Sequence, residues 1–381
     1  MRLILLFLIG CAPALAVQEY YSISRSTRAL GMGGAFHALS DDGHALFYNP
    51  AGLARYSGPS RWKVLGVQAT VSTGISDAVS TVTDAVSAGG DAGAIAARLE
   101  AIQGKPMHLG LGIAPSFTAT GFGVTLLLAD VKANAGLLGR DLASSLDCTA
   151  ISDTGVLIGA AFPLARDRFF AGFTLKGIAR AGGHRSYGVA ELASGASVGS
   201  GVPLGGGVGI DGDLGFSWEI RRWGSGASWG LGATLQNLVG SSFPLGRTGA
   251  APPALARSAS VGAYSLVSWS RRMPRASLRA EVADLPVGGQ PPADEGGRGG
   301  ALLKHLNLGV EVPLGDWLAA RLGLYRGAWT AGLGLGSGFF RLELATYAEE
   351  LLGAPGRLSQ RRFALELSLG FLPAGDSKRK S

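Results

Sequence analysis

Cysteine is almost missing from this sequence. Only Cys11 and Cys148 occur in 381 residues, and if the chain is cut after Ala16 only Cys148 is left. That excludes an intramolecular disulfide and a metal site built from cysteines. Charge is scarce as well, with Asp, Glu, Lys and Arg together at 16%. The net charge of +7 is spread along the chain and ends in the run SKRKS. No basic patch interleaved with aromatic residues occurs, so the composition argues against a nucleic-acid partner. Beyond the N-terminal residues no run of eighteen or more apolar residues exists, which excludes a membrane-spanning helix. The five histidines are scattered, and P-loop and H-E-x-x-H motifs are missing. The segment GASVG at 195–199 matches a nucleophile elbow with Ser197 as nucleophile, but it lies in a Gly/Ser-rich stretch without strand–turn–helix context. In a chain so rich in glycine the match is accidental. No catalytic residue, cofactor or metal is assigned, and the chain reads as non-enzymatic.

What is present is an export signal and a β-pattern. Residues 1–16 combine Arg2, an apolar run from Leu3 to Gly10 and the cleavage pattern Ala14-Leu15-Ala16. An alternative cut before Cys11, in LIGC, would instead lipidate that cysteine. Glycine is 61 of 381 residues and hydrophobic residues are 47%, a composition that suits short glycine-interrupted strands better than helical bundles. Period-two alternation dominates. In GIDGDLGFSWEI, Ile210, Leu214, Phe216, Trp218 and Ile220 share one face, while Asp211, Asp213, Ser217 and Glu219 share the other. HLNLGVEVPL (305–314) and ALELSLGF (364–371) alternate in the same way.

Marking such segments gives fourteen strands, at 61–73, 107–117, 121–132, 153–162, 168–181, 206–220, 228–238, 258–270, 276–284, 304–313, 318–326, 330–336, 340–348 and 361–371. Connections at 74–106, 133–152, 182–205, 239–257, 285–303 and 349–360 are long and alternate with short ones, apart from a brief one near residue 328. In an antiparallel meander this alternation separates a long-loop end from a short-turn end, as in outer-membrane barrels with short periplasmic turns and long extracellular loops. The expected fold is therefore all-β: a transmembrane up-and-down antiparallel barrel of about fourteen strands over 61–371, closed so that no backbone group is left unpaired in lipid. The competing reading is a soluble β-sandwich, whose apolar faces would turn inward. Charges such as Asp211, Asp213, Glu219, Arg279, Glu281 and Glu311 would then either line a polar path through the barrel or form its solvated inner face, the second being the simpler expectation. Residues 76–103, with Ile95, Leu99 and Ile102 at helical spacing, predict a partly helical extracellular loop within 74–106, and 372–381 form a basic tail.

Residues 17–60 are too rich in glycine and turns for a strand and too hydrophobic for a free tail. A fourteen-stranded barrel has a lumen wider than its own side chains fill, so this segment is expected to plug it. Its core, RALGMGGAFHALSDDGHALFYNPAGLA, resembles the N-terminal signature of the FadL/TodX-like and PorV/PorQ-like bacterial outer-membrane barrels. The C-terminal stretch LNLGVEVPLGDWLAARLGLYRGAWTAGLGLGSGFFRLELATYAEELLG with RRFALELSLGF is similar to their last strands. The resemblance implies an N-terminal hatch in the lumen, with Gly31, Gly33 and Gly34 allowing close backbone packing, Asp41 and Asp42 in the signature, and Asn49, Pro50, Ala51 and Gly52 forming the hatch turn. It also implies passage of hydrophobic molecules such as long-chain fatty acids past the hatch, with lateral exit through the wall. The residue types suit these roles, because glycine permits positive φ and close approach, proline fixes φ, and asparagine can satisfy buried backbone groups. His37 and His44 depart from the pattern; with Asp41 and Asp42 they could in principle ligate a divalent metal, though a structural role for the two aspartates is the simpler reading. The expected partners are outer-membrane lipid and a hydrophobic small molecule. The second reading is a PorV-like scaffold that holds exported proteins or secretion machinery, and the third a structural outer-membrane protein with no ligand.

Overall fold

The computed structural model describes residues 22–56, 58–87, 92–138, 145–164, 168–194, 202, 204–223, 227–268, 275–288, 303–336, 338–350 and 359–371. The expected export signal with Cys11, the residue Ser197 and the expected basic tail lie outside these residues.

Apolar and polar residues alternate along the chain, and the alternation becomes a closed wall. The strands are β1 (Arg61–Ser72), β2 (Met107–Ile113), β3 (Ser116–Ala119), β4 (Phe122–Leu138), β5 (Ser145–Leu164), β6 (Phe169–Gly188), β7 (Gly205–Trp223), β8 (Ala227–Gln236), β9 (Leu245–Thr248), β10 (Ser258–Val267), β11 (Ala276–Pro286), β12 (Leu306–Pro313), β13 (Leu318–Tyr325), β14 (Ala328–Gly336), β15 (Phe340–Glu350) and β16 (Ser359–Phe371). Neighbours pair antiparallel in chain order, and β16 returns to β1 from Trp62↔Phe371 to Ser72↔Arg362. β2 and β3 form one interrupted stave, since each pairs with β1 on one side and β4 on the other. The interruption falls at Ala114-Pro115, where proline has no N–H to give, yet Ala114 N still donates to Gly66 O and Leu126 N to Pro115 O, both at 2.9 Å. β9 only adds a patch to β7, so the sixteen strands make a closed barrel of fourteen staves.

The wall is apolar outside and polar inside. Ile210, Leu214, Phe216, Trp218 and Ile220 are 37–57% exposed, whereas Asp211, Asp213, Ser217 and Glu219 are buried at 7% or less. A soluble sandwich would bury the first set and expose the second; that alternative is overturned.

Two expected long connections are shortened by strand, 133–152 for most of its length and 182–205 over 182–188. β4 to β7 run 17, 20, 20 and 19 residues, so most of 133–152 and the first residues of 182–205 continue the wall beyond its neighbours. These arms carry KANAG, SLDCTAISD and GGHRSY, whose few and mostly small apolar residues gave no alternation long enough to read. Residues within the first long connection are helical, as α3 (Ile75–Ser87) and α4 (Ala92–Leu99). Ile95 and Leu99 are fully buried in a cluster with Leu137, Leu146, Tyr187 and two residues of α5 (Val189–Ala193). The helices therefore pack on the extended arms of β4 to β6.

Residues 22–56 cross the inside of this wall. Helix α1 (Thr27–Gly31) starts at Ser26, whose Oγ accepts from Ala29 N at 3.5 Å, and it lies against β13 to β16. A 3₁₀ turn at Gly43–Phe47 is capped by Asp42, which accepts from His44 N at 2.8 Å. Helix α2 (Gly52–Arg55) then packs against β4, β5 and β6 on the other side.

Candidate functional site

The inward-facing side chains and residues 22–56 form one buried interface, which is the candidate site. Its first component is backbone against backbone. Gly33 has φ of 67°, and a Cβ there would fall 2.3 Å from Leu308 O and 2.4 Å from Leu324 O. Only glycine tolerates both the left-handed conformation and the approach. Gly31 sits similarly on Gly332, and Gly34 on Tyr325. The turn at 49–52 rests on glycines of the opposite wall: a Cβ at Gly172 would meet Pro50 at 2.6 Å, and one at Gly215 would meet Asn49 Oδ1 at 2.2 Å. Asn49 holds the turn, with Nδ2 donating to His37 O at 2.6 Å and Phe216 O at 3.1 Å and Oδ1 accepting from Ala51 N at 3.1 Å. Gly52 faces Ser40 O, leaving no room for a side chain.

The second component is ionic and lies toward β11 to β16. Arg28 donates to Asp41 at 2.7 Å, to Asp42 at 2.9 Å and to Glu311 at 2.6 Å. Glu311 also accepts from Arg321 at 2.6 Å, and Arg321 in turn pairs with Glu343. Arg279 donates to Leu39 O at 2.6 Å. Glu281 accepts three successive backbone N–H groups, from Phe36, His37 and Ala38, at 3.1, 3.0 and 2.6 Å. Consecutive amides cradling one carboxylate make an anion nest. Glu281, Arg279 and Glu311 are therefore not a solvated inner face; residues 22–56 fill the lumen in front of them and take up their hydrogen bonds.

The four residues weighed as metal ligands are taken up in ion pairs. His37 Nδ1 lies 3.2 Å from Glu281; Asp41 and Asp42 hold Arg28; His44 lies 3.4 Å from Asp42 and 3.3 Å from Glu366. Among the described residues no cluster of three potential ligands occurs. Burial pulls the His44 pKa down, but the Glu366 carboxylate, aided by Asp42 and opposed by Lys63, outweighs it and the pKa rises to about 9. Burial likewise raises the Asp42 pKa, and its contacts with His44 and Arg28 outweigh that and hold it well below the usual carboxylate range.

The third component is apolar. On the β4–β6 side, Leu127, Leu157, Ala161 and Ile178 face inward and are covered by Ile23, Leu46 and Leu53 of the lumen segment and by Phe243 and Leu255 of the 237–257 connection. The cluster starts near the long-loop end, where Phe243 lies on the first residues of β7. It ends near the short-turn end, where Gly121 joins Ala161 to Leu53 by backbone hydrogen bonds. Arg180–Asp153 and Lys176–Asp213 pairs flank it. A contiguous greasy strip thus runs along this side of the lumen, and Ile23, Leu46, Leu53, Phe243 and Leu255, which cover it, belong to segments outside the wall. Sequence reasoning did not find this strip, because Leu127, Leu157 and Ile178 read as single apolar residues on polar faces.

No family model matches the chain, and no curated protein matches it in sequence. The closed barrel is similar in fold to three solved channels. They are the CymD monoaromatic hydrocarbon channel (13% identity, TM-score 0.47, covering 93% of this chain and 99% of that one), the toluene transporter TodX of Pseudomonas putida (12%, 0.46, 93% and 99%) and the toluene transporter TbuX of Ralstonia pickettii (10%, 0.45, 92% and 98%).

Proposed function

We propose that this chain is a bacterial outer-membrane barrel that passes hydrophobic small molecules, long-chain fatty acids among them, through a lumen gated by its N-terminal hatch. In this reading residues 1–16 are the export signal, 17–60 the hatch, 61–371 the barrel with 74–106 as a partly helical extracellular loop, and 372–381 a periplasmic tail. The observation that carries it is the apolar strip. An apolar solute is stabilised by about 25 cal/mol for each Å² it removes from water, so a strip spanning the lumen offers a continuous low-energy path once its covers move. The covers are held by contacts that can be exchanged: glycine-on-glycine approaches, Asn49 and a set of ion pairs.

The test is uptake of labelled long-chain fatty acid by cells lacking their own outer-membrane fatty-acid transporter, with surface expression of this barrel verified. Uptake above the empty-vector control is expected. Replacing Asn49-Pro50 by Ala-Ala leaves buried backbone groups unpaired at about 1–3 kcal/mol each and unseats the turn, so transport should change at least several-fold while the barrel stays folded. No uptake from a verified, folded barrel would overturn fatty-acid transport and favour the scaffold reading, to be followed by cross-linking for a protein partner.

A further inference from the structure

Arg55, the last residue of α2, places its guanidinium between two rings, 5.2 Å from the centroid of Phe170 on β6 and 4.9 Å from that of Tyr264 on β10. Stacking covers both faces of the cation, so only its N–H edge is left to bind anything. Nη2 approaches Glu219 at 3.6 Å, too far for a hydrogen bond. Nε and Nη1 are buried and make no hydrogen bond, on a side chain that is only 10% exposed. The wall around them shows the same imbalance. The hydroxyls of Ser217, Ser228 and Tyr264, and Arg279 Nη2, are likewise buried without a hydrogen-bond partner. Sheet register puts these groups side by side: Glu219 of β7 faces Gly230 of β8, Gly230 faces Tyr264, and Tyr264 faces Arg279 of β11. Ser217 and Ser228 lie two residues away on β7 and β8. Gly230 lets the tyrosine reach across, since a Cβ there would fall 2.2 Å from its hydroxyl oxygen. This is the short-turn end of the lumen. The β7–β8 ladder ends nearby at Trp223↔Ala227. Exposed Arg275 immediately precedes β11, and exposed Arg168, whose carbonyl accepts from Glu219 N at 2.7 Å, precedes β6.

Buried polar groups are as a rule hydrogen-bonded, and the surplus here is of donors. The carboxylates in reach are Glu219 and, 3.7 Å from Arg279 Nη2, Asp41, which Arg28 already holds at 2.7 Å. A ligand that only accepts answers this surplus. The donors converge from one helix and from β7, β8, β10 and β11, more directions than the two oxygens of a carboxylate can serve. We infer that this cluster is a binding site for a tetrahedral oxyanion of the phosphate type, held by Arg55 from the lumen segment and by Ser217, Ser228, Tyr264 and Arg279 from the wall. Arg168 and Arg275 add positive charge at the rim, which draws an anion toward the mouth. The ladders from β7 to β11 are closed at this level, so the ligand enters from water as a free anion and not from lipid as a headgroup. The site is separate from the apolar strip, which Leu53 covers two residues before Arg55. Because one half belongs to α2 and the other to the wall, a bound anion ties the end of the lumen segment to the barrel.

The test is isothermal titration of inorganic phosphate into the purified full chain in detergent, at neutral pH and constant ionic strength, with acetate and chloride titrated in parallel. One saturable phosphate site is expected, with acetate and chloride at least several-fold weaker because they offer fewer acceptor oxygens. Arg55→Gln removes the charge-assisted bonds and should weaken phosphate about tenfold. Ser228→Ala, which removes a hydroxyl that no other group of the chain holds, should weaken it a few-fold and serves if the first variant fails to fold. Arg185→Gln, near the opposite end of the barrel, should leave the affinity unchanged. Absence of saturable phosphate binding by the folded natural chain overturns the site. Unchanged affinity in the folded Arg55 and Ser228 variants overturns its location, and acetate or chloride matching phosphate overturns the ligand class. The site does not depend on what crosses the lumen, so failure here leaves the transport reading standing, and failure of uptake leaves the site standing.

Discussion

His44 shows how one side chain can tie the lumen segment to the wall. It lies between Asp42 of its own segment and Glu366 of β16, with Lys63 of β1 also on Glu366 at 3.7 Å. Because its pKa in the folded chain is raised to about 9 from an unfolded value near 6.5, the imidazolium contributes stability that is fully present below pH of about 6.5 and is lost as pH rises through about 9. The segment should therefore be held tighter at pH 7 than at pH 10. Ion conductance of the barrel in planar bilayers is expected to rise between pH 8 and 10, and His44→Gln should flatten that rise. A profile identical in the variant would remove His44 from the account. The sequence marked His44 only as a departure from a pattern, since its partner Glu366 is more than three hundred residues away.

At the scale of elements, the meeting of the lumen segment with β12, β13 and β14 is a backbone contact that no side-chain count reveals. Gly33 N donates to Thr330 Oγ1 at 2.9 Å, and a Cβ on Gly323 would come within 2.4 Å of Gly33 N. Gly33→Ala adds left-handed strain of about 1–3 kcal/mol and a collision with two strand carbonyls that only a displacement of the segment can relieve. The expected outcome is a barrel with unchanged heat-modifiable migration on SDS gels whose residues 22–56 become accessible to protease. Protection equal to the natural chain would show that the contact is not what seats the segment. The strands themselves were legible because their two faces meet opposite environments. The arms of β4 to β6 were not, because their one apolar face, with Leu137, Leu146 and Tyr187, meets the helices of the first connection, and the small and polar residues around it leave no period long enough to read.

For the whole molecule, closure of the sheet and filling of the lumen are separate facts. The wall closes through the β16–β1 ladder, which needs nothing from residues 22–56. The lumen of fourteen staves is wider than inward side chains alone fill, and residues 22–56 with the 237–257 connection occupy it. Deleting residues 22–56 while keeping the export signal is expected to leave an assembled barrel with single-channel conductance raised at least several-fold. Unchanged conductance in a folded deletion variant would mean that other segments close the pore, and hatch gating would fall with it.

The sequence by itself determined the wall: which residues face outward, how many staves cross, which end carries the long connections, and that a glycine-rich segment precedes the first strand. These follow from period-two alternation and turn chemistry, which act between near neighbours in the chain. Only the tertiary structure decided what the lumen does. It made Glu281 the cradle of three amides, set Arg28 between Asp41, Asp42 and Glu311, aligned Leu127, Leu157 and Ile178 into one strip, and pressed Phe243 under Arg180. The physical reason is that the inside of a barrel joins residues from every stave at distances fixed by closure and stagger, and no local pattern in the chain records which of them will meet.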